Sequence, residues 1–546
     1  MKLNRIMIAA PKSGSGKTTI TCGLLQAFKD AGKKVISYKC GPDYIDPMFH
    51  QKVIDVPAKN LDTFFTDEET TRRLFFKNRK EEELAILEGV MGLFDGLGGV
   101  REEGSSYHLA KVTKTPVILV VDAKGMGRSV ISLIAGFLAY DKEQLIKGVI
   151  LNRMSKSYYE TIKPLIEQEL SIAVVGYFPD CKAFQVVSRH LGLMMPDEIA
   201  DIREQLQKSS EELQKTVSLE AVLQIAENAK ELEGYPVITD TEVCAADREN
   251  RPVIAVAKDE AFCFYYEDNL HLLEESGAKI EYFSPLHDNG LPDGCCGILL
   301  GGGYPELYAD KLSQNITMLH AVKRAEESEM PIVAECGGFM YLHSVIADKE
   351  ERSYIMTEVL PAKCYDTGKL VRFGYIELEG GNNDFLPKGE RIRGHEFHYY
   401  DSEDNGADCL AIKPVTGKSY PCIITTGNSF VGFPHLYYPS NPIFAENFVK
   451  KAREYKEGRN YKMKNSHRFF ENKECKYFPC HEGVDDFNCL FCYCPLYHLE
   501  NCLGNPIYKE KEDRKIKVCK NCTFPHKPEN YDVVVGRIKT VLKEHS

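Results

Sequence analysis

Short apolar runs alternate with longer amphipathic segments from the start of the chain to about Leu170. The runs RIMIAA, KVISYKC, LAILEG, PVILVVDA and KGVILNR are rich in β-branched and aliphatic residues and have the length of strands. Continuous rather than alternating apolar character is typical of parallel strands that are buried on both faces. The pattern predicts an α/β domain in which helices connect the strands of a parallel sheet.

The pattern changes further along the chain, and the changes predict where domains end. Residues from about Ala200 to Glu233 have apolar side chains at helical spacing, and residues 235–250 are polar enough for an exposed linker. A second α/β pattern (PVIAVAKD, KIEYFSP, GILLGGG, PIVAECGG) then runs to about Asn447, and a charged connector precedes a cysteine-rich end. The predicted domains are 1–234, 251–447 and 467–546, joined by a linker at 235–250 and a connector at 448–466.

Composition narrows the class of protein. The 546 residues are 43% hydrophobic and carry a net charge of −12, so the chain lacks the basic character that a nucleic acid partner requires. Its apolar runs fall short of the roughly 18 residues that a transmembrane helix needs, and the N-terminal run is too short for a secretion signal. We therefore expect a cytoplasmic protein without a nucleic acid or membrane partner.

The N-terminal segment RIMIAAPKSGSGKTTITCGLLQAF predicts a strand, a glycine-rich loop and a helix, which is the setting of a phosphate-binding loop. Backbone N–H groups at the helix start would hold phosphates, Lys17 would neutralise them and Thr18 would bind Mg²⁺. Pro11 replaces the usual first glycine, but Lys12 stands where the loops of the dethiobiotin synthetase and nitrogenase iron protein group carry a second lysine. The resemblance implies an ATP site formed by Lys12, Gly14, Ser15, Gly16, Lys17, Thr18 and Thr19.

Acidic residues cluster where the predicted strands end. They are Asp43 and Asp46 in CGPDYIDP, Asp62 in NLDTFF, Glu88 in LEGVMGLFDG, and Asp95 seven residues later. An open α/β sheet places its ligand crevice at the carboxyl ends of its strands, and carboxylate oxygens suit Mg²⁺. A helix cap or a surface turn would explain any one of these residues. Five together predict catalytic acids, with Thr18, Asp43 and Glu88 as Mg²⁺ ligands.

In PIVAECGGFMYL, Cys336 stands between an apolar strand and two glycines that open a helix. A cysteine on such a turn meets the positive end of the helix dipole, so we expect its thiol to have a lowered pKa and to attack as a thiolate. The glycines, Gly337 among them, would let a substrate carbonyl approach backbone N–H groups. Upstream, GILLGGGYPELY resembles the oxyanion strand of class I glutamine amidotransferases, which implies Gly302 and Gly303 as donors.

The same resemblance implies that His435 in GFPHLYYPSNP is the base that activates the cysteine. Most class I amidotransferases carry Glu two residues after this histidine, but here the position is Tyr437. The lack of Glu marks the cobyrinic and cobyric acid synthase type, which works with a Cys-His pair. His395 and His398 in RGHEFHYY compete with His435 on composition alone.

Residues 1–447 as a whole resemble the cobyrinate a,c-diamide synthase family. The strings GPDYIDP, LEGVMGLFDG, PVILVVDAKGMGRS, GVILNR, RHLGL, AFCFYYEDNL, GGGYPE, ECGGFMYL and RGHEFHYY all look like signatures of this family. The chain departs from it at Val187 and Ser188, where relatives commonly have Pro-Glu, and from His435 onward, where the family's HLHF reads HLYY. Neither departure touches the phosphate loop or Cys336, so both bear on substrate contacts rather than on the reaction.

The resemblance implies an enzyme with two sites. The second domain would hydrolyse glutamine through a Cys336 thioester and pass ammonia to the first. There ATP would activate a carboxylate of a cobyrinate-type tetrapyrrole as an acyl phosphate, and Mg²⁺ and Lys17 would stabilise the transferred charge. The reaction would occur on the c and the a acetate groups, and Asn152 and Arg153 would contact the nucleotide base.

Nineteen cysteines in a cytoplasmic chain favour metal ligands, catalysts or buried thiols over disulfides. Eight of them lie in one C-terminal stretch, with His481, His498 and His526 nearby. Close thiol pairs suit a tetrahedral site, so zinc is the first expectation, with an iron-sulfur cluster and a metal-free cluster as alternatives. This stretch resembles a small cysteine-rich domain, found alone or fused in anaerobes, that has no known role. The predicted ligands are Cys475, Cys480, Cys489, Cys492, Cys494, Cys502, Cys519 and Cys522.

Other functions stay open at this point. Nickel sirohydrochlorin and hydrogenobyrinate a,c-diamide synthases amidate similar acetates, and the motifs do not separate these macrocycles. A nucleotide-dependent regulator or metallochaperone would also combine a phosphate loop with a metal-binding tail, but it would lack glutaminase chemistry. The oligomeric state is open as well, with a homodimer among the options.

Overall fold

The computed structural model describes residues 3–77, 84–180, 196–232, 251–464, 469–481, 487–499, 502–511 and 514–544. The chain forms two compact units, Met1–Arg453 and Glu454–Ser546. The predicted linker at 235–250 and the RHLGL string with Val187 and Ser188 lie outside the described residues. Among the described helices, none is both long enough and apolar enough to cross a lipid bilayer.

The first part of the larger unit is built on a parallel sheet of seven strands. These are β1 (Arg5–Ala9), β2 (Val35–Cys40), β3 (Ala58–Leu61), β4 (Leu84–Glu88), β5 (Val117–Asp122), β6 (Ile146–Asn152) and β7 (Ala173–Phe178). Their order is β3-β2-β4-β1-β5-β6-β7, and every pairing is parallel. The five predicted runs form β1, β2, β4, β5 and β6. The polar sequence AKNL concealed β3, and β7 begins just beyond the point where the predicted pattern ended.

Helices cover both faces of this sheet. Successive residues of each strand point to opposite faces, so neighbouring residues enter different cores. Met7 and Leu119 belong to one apolar core, whereas Ile8 and Ile118 belong to the other. The helices that cover the faces are α1 (Lys17–Asp30), α2 (Ile45–Phe49), α3 (Glu68–Phe76), α4 (Ser106–Val112), α5 (Ser129–Tyr140), α6 (Lys156–Leu170), α7 (Pro196–Thr216) and α8 (Leu219–Glu227). A π-helical turn, His50–Ile54, follows α2 directly. The last two helices confirm the helical character predicted from Ala200 onward.

The second part of the larger unit contains another mainly parallel sheet, as its sequence pattern predicts. Its strands are β8 (Val253–Ala257), β10 (Lys279–Phe283), β11 (Cys295–Leu300), β13 (Ile332–Glu335), β22 (Ile424–Thr426) and β23 (Ser429–Gly432). Their order is β10-β8-β11-β13-β23-β22, and only the β22–β23 pairing is antiparallel. Five helices accompany this part: α9 (Glu267–Glu275), α10 (Ala309–Gln314), α11 (Ile316–Glu327), α12 (Gly337–Tyr341) and α13 (Ile443–Lys464). The last of these occupies most of the predicted charged connector.

Smaller sheets complete the second part. A pair consists of β9 (Phe262–Phe264) and β12 (Gly302–Gly303), and a four-stranded sheet contains β14 (His343–Ala347), β15 (Ser353–Ile355), β16 (Leu360–Asp366) and β19 (Tyr400–Ser402). A five-stranded antiparallel sheet contains β17 (Arg372–Glu379), β18 (Arg391–His398), β20 (Cys409–Ile412), β21 (Ser419–Cys422) and β24 (His435–Leu436). The β18–β24 pairing sets His395 directly opposite His435.

Polar and aromatic contacts join the two parts of the larger unit. The Tyr375 hydroxyl donates a 2.6 Å hydrogen bond to Asp62 Oδ2, and Arg393 Nη1 donates to Phe64 O. The ring of Tyr437 stacks on Phe65 with 5.0 Å between centroids. These contacts bring the carboxyl ends of the first sheet next to the antiparallel sheet of the second part.

Beyond the end of α13, the described residues of the smaller unit form one hairpin and one helix. The hairpin pairs β25 (Ile507–Lys511) with β26 (Arg514–Val518), and the helix is α14 (Tyr531–Glu544). Its described residues also form three short 3₁₀ turns, Cys489–Phe491, Phe524–His526 and Pro528–Asn530, the first of which begins at Cys489 and the second of which ends at His526. Few of its described apolar side chains are buried, so this unit lacks a large core of its own.

Candidate active site

The predicted phosphate loop joins β1 to α1 and is shaped by its glycines. Gly16 has φ +94°, and a Cβ added there would lie 2.1 Å from Asn152 Nδ2. That amide donates a 2.8 Å hydrogen bond to Ser15 O. Any side chain at Gly16 would therefore clash with the residue that braces the loop, which explains the glycine at this position.

Arg153 braces the same loop from the end of β6. Its guanidinium forms a 2.7 Å ion pair with Asp122 Oδ2 and donates a 3.3 Å hydrogen bond to Gly14 O. Asn152 and Arg153 thus contact the backbone of the loop. Their predicted contact with a nucleotide base stays a prediction.

The two lysines of the loop differ in burial. Lys17 is buried, and its Nζ donates a 2.5 Å hydrogen bond to Met91 O, whereas the Lys12 side chain is exposed. Burial, with a further contribution from the charge of Lys39, lowers the pKa of Lys17 to about 8. A phosphate anion beside this ammonium would favour its charged form. The structure therefore places the Lys17 ammonium where it would compensate the negative charge of an anionic ligand.

A buried lysine gathers three of the predicted acidic residues. Lys39 Nζ lies 2.5 Å from Asp46 Oδ2, 2.8 Å from Glu88 Oε1 and 3.9 Å from Asp43 Oδ2. The Thr18 hydroxyl donates a 2.6 Å hydrogen bond to the same Glu88 oxygen. Residues from α1, β2, β4 and the start of α2 thus meet at the carboxyl edge of the sheet, as the strand-end argument predicts.

Glu88 has the chemistry that a metal site requires. It is fully buried, and its Oε2 has no hydrogen-bond partner. Burial raises the pKa of Glu88 to about 7, although the Lys39 ammonium acts in the opposite direction. Thr18, Asp43 and Glu88 present hard oxygen donors, so the residues fit the predicted Mg²⁺.

Two residues near this group were missed in the sequence. Lys39 is a charged residue inside the six-residue buried strand β2, and that anomaly was the available signal. His50 lies beneath the acids, with its Nε2 3.7 Å from Glu88 Oε2 and its Nδ1 2.9 Å from Ser37 Oγ. Burial lowers the pKa of His50 to about 4, so it is neutral at pH 7.

The remaining two acidic candidates make other contacts. Asp62 accepts hydrogen bonds from Phe64 N at 2.7 Å and from Tyr375, and burial raises its pKa to about 6. Asp95 Oδ2 accepts a 2.9 Å hydrogen bond from Gly92 N in the loop after β4. Asp62 therefore helps to join the two parts of the unit, and Asp95 shapes the loop beside Lys17.

Cys336 occupies a sharp turn between β13 and α12. Its φ is +48° and its ψ is −104°, a region that L residues adopt at a cost of about 1–3 kcal/mol. A Cβ on Gly338 would lie 2.2 Å from Leu300 O, and a Cβ on Gly337 would lie 3.1 Å from Gly303 N. Both glycines are therefore needed for β11 and the following Gly302–Gly303 strand to approach the thiol. The predicted elbow geometry is present.

The expected lowering of the Cys336 pKa is wrong for the protein without substrate. Burial raises the pKa of this thiol above its usual range, and the charge of Glu306 adds to the effect. The helix that follows has only five residues, so its dipole is too small to outweigh the loss of solvent. The thiol is therefore protonated at rest and needs a base.

His435 lies beside the predicted oxyanion strand. A Cβ on Gly302 would meet His435 Cε1 at 2.4 Å, so the ring packs directly on that glycine. Its Nδ1 is buried without a hydrogen-bond partner, and burial lowers the pKa of His435 to about 3. A Cβ on Gly337 would lie 3.1 Å from Gly303 N, so the glycines connect the turn of the thiol with the strand that packs on the imidazole.

Each of the two competing histidines uses its Nδ1 in a hydrogen bond. His395 Nδ1 lies 3.2 Å from the Tyr266 hydroxyl, and its ring stacks on that of His435 at 4.9 Å. His398 Nδ1 donates a 2.7 Å hydrogen bond to Tyr400 O, and its ring stacks on an apolar side chain. These contacts favour His435 as the base.

Glu335, which the sequence analysis did not single out, is the carboxylate beside this imidazole. It is the last residue of β13, and its Oε2 lies 3.9 Å from His435 Nδ1. The Tyr438 hydroxyl donates a 3.2 Å hydrogen bond to its other oxygen, and burial raises the pKa of Glu335 to about 8. A glutamate inside an otherwise apolar strand, directly before the nucleophile, was the signal in the sequence.

One aromatic residue links the two groups of catalytic candidates. The Tyr44 ring stacks on Phe264 at 5.0 Å and packs against His435 at 5.4 Å. Its neighbour in the chain, Asp43, faces Lys39. The segment before α2 therefore contacts both groups through consecutive residues.

The cysteines of the smaller unit form turns that are suited to metal binding. Cys492 N donates to Cys489 O, and Cys522 N donates to Cys519 O, so each Cys-x-x-Cys pair closes a tight turn. Asn472 N donates a 3.3 Å hydrogen bond to Cys489 Sγ. Burial and the nearby thiols of Cys475, Cys489 and Cys492 raise the pKa of Cys480, and burial and the nearby thiols of Cys502, Cys519 and Cys522 raise the pKa of Cys494. Soft thiols in such sets fit a thiophilic metal.

In comparisons with known proteins, three family models match three successive regions of the chain. The family model of the CobQ/CobB/MinD/ParA nucleotide binding domain matches residues 6–193, and that of the CobB/CobQ-like glutamine amidotransferase domain matches residues 253–436. The cysteine-rich small domain matches residues 466–546.

Similar proteins cover the first two of these regions together. The cobyrinate a,c-diamide synthase of Caldanaerobacter subterraneus subsp. tengcongensis is 40% identical over 434 residues, which are 79% of this chain and 94% of the relative. The enzyme of the same name from Dehalococcoides mccartyi is 38% identical over 83% of this chain and 99% of the relative. That of Salmonella typhimurium is 36% identical over 82% of this chain and 98% of the relative. The chain belongs to the cobyrinate a,c-diamide synthase family, and it carries a cysteine-rich domain in addition.

Proposed function

We propose that this protein uses ATP and glutamine to convert the a and c acetate groups of cobyrinate to amides in cobalamin biosynthesis. The observation that carries the proposal is the joining of two centres in one compact unit. One centre is a thiol elbow with an imidazole, and the other is a phosphate loop beside buried carboxylates. Family membership over both centres supports the same activity. The predicted domain limits 1–234, 251–447 and 467–546 belong to this proposal.

The glutaminase reaction begins at Cys336. As its sulfur bonds to the side-chain amide carbon of glutamine, its proton passes to His435, and the N–H groups around Gly303 and Gly337 stabilise the developing oxyanion. His435 then gives the proton to the departing nitrogen, so the C–N bond breaks, ammonia leaves and a thioester remains. Water attacks the thioester, which releases glutamate and restores the thiol.

The ligase reaction occurs at the phosphate loop. An acetate oxygen of the macrocycle attacks the γ-phosphorus of ATP, which forms an acyl phosphate and releases ADP. Ammonia attacks the acyl carbon, loses a proton and expels phosphate, which leaves an amide. Lys17 and the loop N–H groups hold the phosphates, and Lys39 balances the surrounding carboxylates. Mg²⁺ bound by Thr18, Asp43 and Glu88 would supply charge neutralisation for the phosphoryl transfer.

The cysteine-rich domain is proposed to bind zinc, with an iron-sulfur cluster as the alternative. Its eight thiols divide into neighbours of Cys480 and neighbours of Cys494, and the described part of the unit buries few apolar side chains. Metal binding would therefore supply folding free energy that a small core cannot. We further propose that the protein acts without a nucleic acid partner, and that a homodimer is compatible with this activity.

The identity of the macrocycle is tested by direct comparison of substrates. Purified protein is incubated with MgATP, glutamine and, separately, cobyrinate, hydrogenobyrinate or nickel sirohydrochlorin, and the products are identified by mass spectrometry. We expect a diamide from cobyrinate. Turnover of nickel sirohydrochlorin without turnover of cobyrinate would contradict the proposed substrate and keep the reaction class.

Replacement of the nucleophile separates the two centres. Cys336→Ala is expected to lose amidation with glutamine and to retain it with ammonium salts, because the ligase centre contains no part of the elbow. Diamide formation is measured with each nitrogen source. Cys295→Ala, which removes a buried thiol from the adjacent strand β11, is the control and should retain both activities. Undiminished glutamine-driven activity in Cys336→Ala would refute Cys336 as the nucleophile, whereas a wild type without glutamine-driven amidation would favour a regulator or metallochaperone.

A matched pair of substitutions on α1 tests the ligase centre. Thr18→Val removes the hydroxyl that binds Glu88, and amidation should fall with glutamine and with ammonia alike, whereas basal glutamine hydrolysis persists. Thr21→Val removes a buried hydroxyl without a hydrogen-bond partner one turn further on, and it should leave both reactions intact. ADP release measures the ligase reaction and glutamate release measures glutamine hydrolysis in both variants. Equal amidation by the two variants would speak against the assignment of Thr18.

Glu335→Gln tests the carboxylate beside His435. An ionised Glu335 stabilises the imidazolium that forms when the thiol loses its proton, so glutaminase activity should fall on the order of 10²-fold. Since the pKa of Glu335 is about 8, wild-type kcat/KM should rise as pH increases through 8, when this group ionises. The variant should lack that rise, and Glu379→Gln, which removes a carboxylate that is 37% exposed, should keep it. An unchanged pH profile in Glu335→Gln would rule out this role.

A further inference from the structure

The smaller unit contains a ligand group that mixes sulfur with nitrogen. The Cys480 sulfur and one ring nitrogen each from His481 and His526 lie within 4.8 Å of one another. The two histidines come from distant parts of the unit, since His526 ends the 3₁₀ turn Phe524–His526. The set predicted from the sequence consists of thiols alone, so these imidazoles add a different donor.

The orientation of His526 suits a metal ligand. This residue is 2% exposed, and its Nδ1 lies 3.0 Å from Asn488 O. A carbonyl can only accept, so Nδ1 carries the proton, and Nε2 of the neutral ring keeps its lone pair. A hydrogen bond from the second ring nitrogen to a backbone carbonyl is the arrangement that fixes ligating histidines. The Asn488 backbone N–H donates in return to His526 O at 2.8 Å, which holds the two residues in register.

His481 contributes an independent observation. Its Nδ1 is buried and has no hydrogen-bond partner. Leaving a buried polar atom unpaired costs about 1–3 kcal/mol, a penalty that a bound metal ion would remove. The ring lies 4.7 Å from that of His526, and Phe487 packs against both at 6.2 and 4.4 Å. Phe487 thus forms an apolar wall that limits how far the imidazoles can turn.

We propose that Cys480, His481 and His526 bind one zinc ion, with a fourth ligand from the neighbouring thiols of Cys475, Cys489 or Cys492. One sulfur and two imidazole nitrogens match the ligand preference of Zn²⁺, which takes four such donors in a tetrahedral site. Iron-sulfur clusters are held by thiolates, or in the Rieske type by two histidines on one iron and two cysteines on the other, so a sulfur that shares one position with both imidazoles favours a single zinc ion. The proposal rests on the proposed role of the cysteine-rich domain as a metal-binding unit and assigns that role to named residues.

The test uses the full-length protein and measures its zinc content per chain by mass spectrometry. His481→Gln and His526→Gln should each lower the zinc content by one ion relative to the wild type. His498→Gln is the matched control, because His498 lies in the same unit and contacts the Tyr493 hydroxyl instead. Since His526 is buried and its replacement could disturb folding, the half-buried His481 is the decisive position.

A spectroscopic readout separates loss of a ligand from loss of structure. In Co²⁺-substituted protein, the d–d absorption bands should shift in His481→Gln and Cys480→Ser but not in His498→Gln. Unchanged zinc content and unchanged Co²⁺ bands in His481→Gln would overturn this site while leaving a thiolate metal domain in place. Wild-type protein without zinc, or with iron and acid-labile sulfide in its stead, would overturn both this site and the proposal of zinc binding.

Discussion

The ion group around Lys39 is the interaction on which the ligase half depends. An ammonium that is 5% exposed cannot remain charged without compensation, because an unpaired buried charge costs several kcal/mol. Asp46 and Glu88 supply that compensation at 2.5 and 2.8 Å. Each partner comes from a different element, so β2, β4 and the start of α2 must meet at one place. The parallel order of the strands makes this convergence possible, since it gathers their carboxyl ends along one edge.

Burial works differently at the elbow. Around Lys39 it concentrates charges that balance one another, whereas around Cys336 it suppresses charge. The thiol is held protonated and His435 neutral, because burial shifts both pKa values away from the ion pair. Proton transfer between them is then favoured only when a bound substrate offers an oxyanion to the N–H groups and Glu335 offers its negative charge.

The sequence predicts those features of the fold and the site that depend on neighbouring residues in the chain, and it does not predict those that depend on distant partners. The strands of β1, β2, β4, β5 and β6 follow from continuous apolar runs, and the elbow follows from a cysteine between a strand and two glycines. The polar sequence of β3 carried no such signal, because pairing with β2 decides its state. The roles of Lys39 and Glu335 depend on partners far along the chain, such as Glu88 for the one and His435 for the other. The pKa of Cys336 was misjudged for the same reason, since helix position is visible in a sequence and burial is not.

The segment Asp43–Tyr44 connects the ligase centre with the glutaminase centre. Asp43 and Tyr44 are adjacent in the chain, so a shift of the backbone at one of them displaces the other. Asp43 lies 3.9 Å from Lys39, and the Tyr44 ring packs against His435 and Phe264. A displacement of this segment when ATP or a macrocycle binds would therefore change the packing around the base of the glutaminase. By thermodynamic reciprocity, binding of glutamine at the elbow would change the affinity of the ligase centre by the same factor. Two reactions that must share one ammonia molecule are thus connected through packed side chains, among them Asp43 at one centre and Tyr44 at the other.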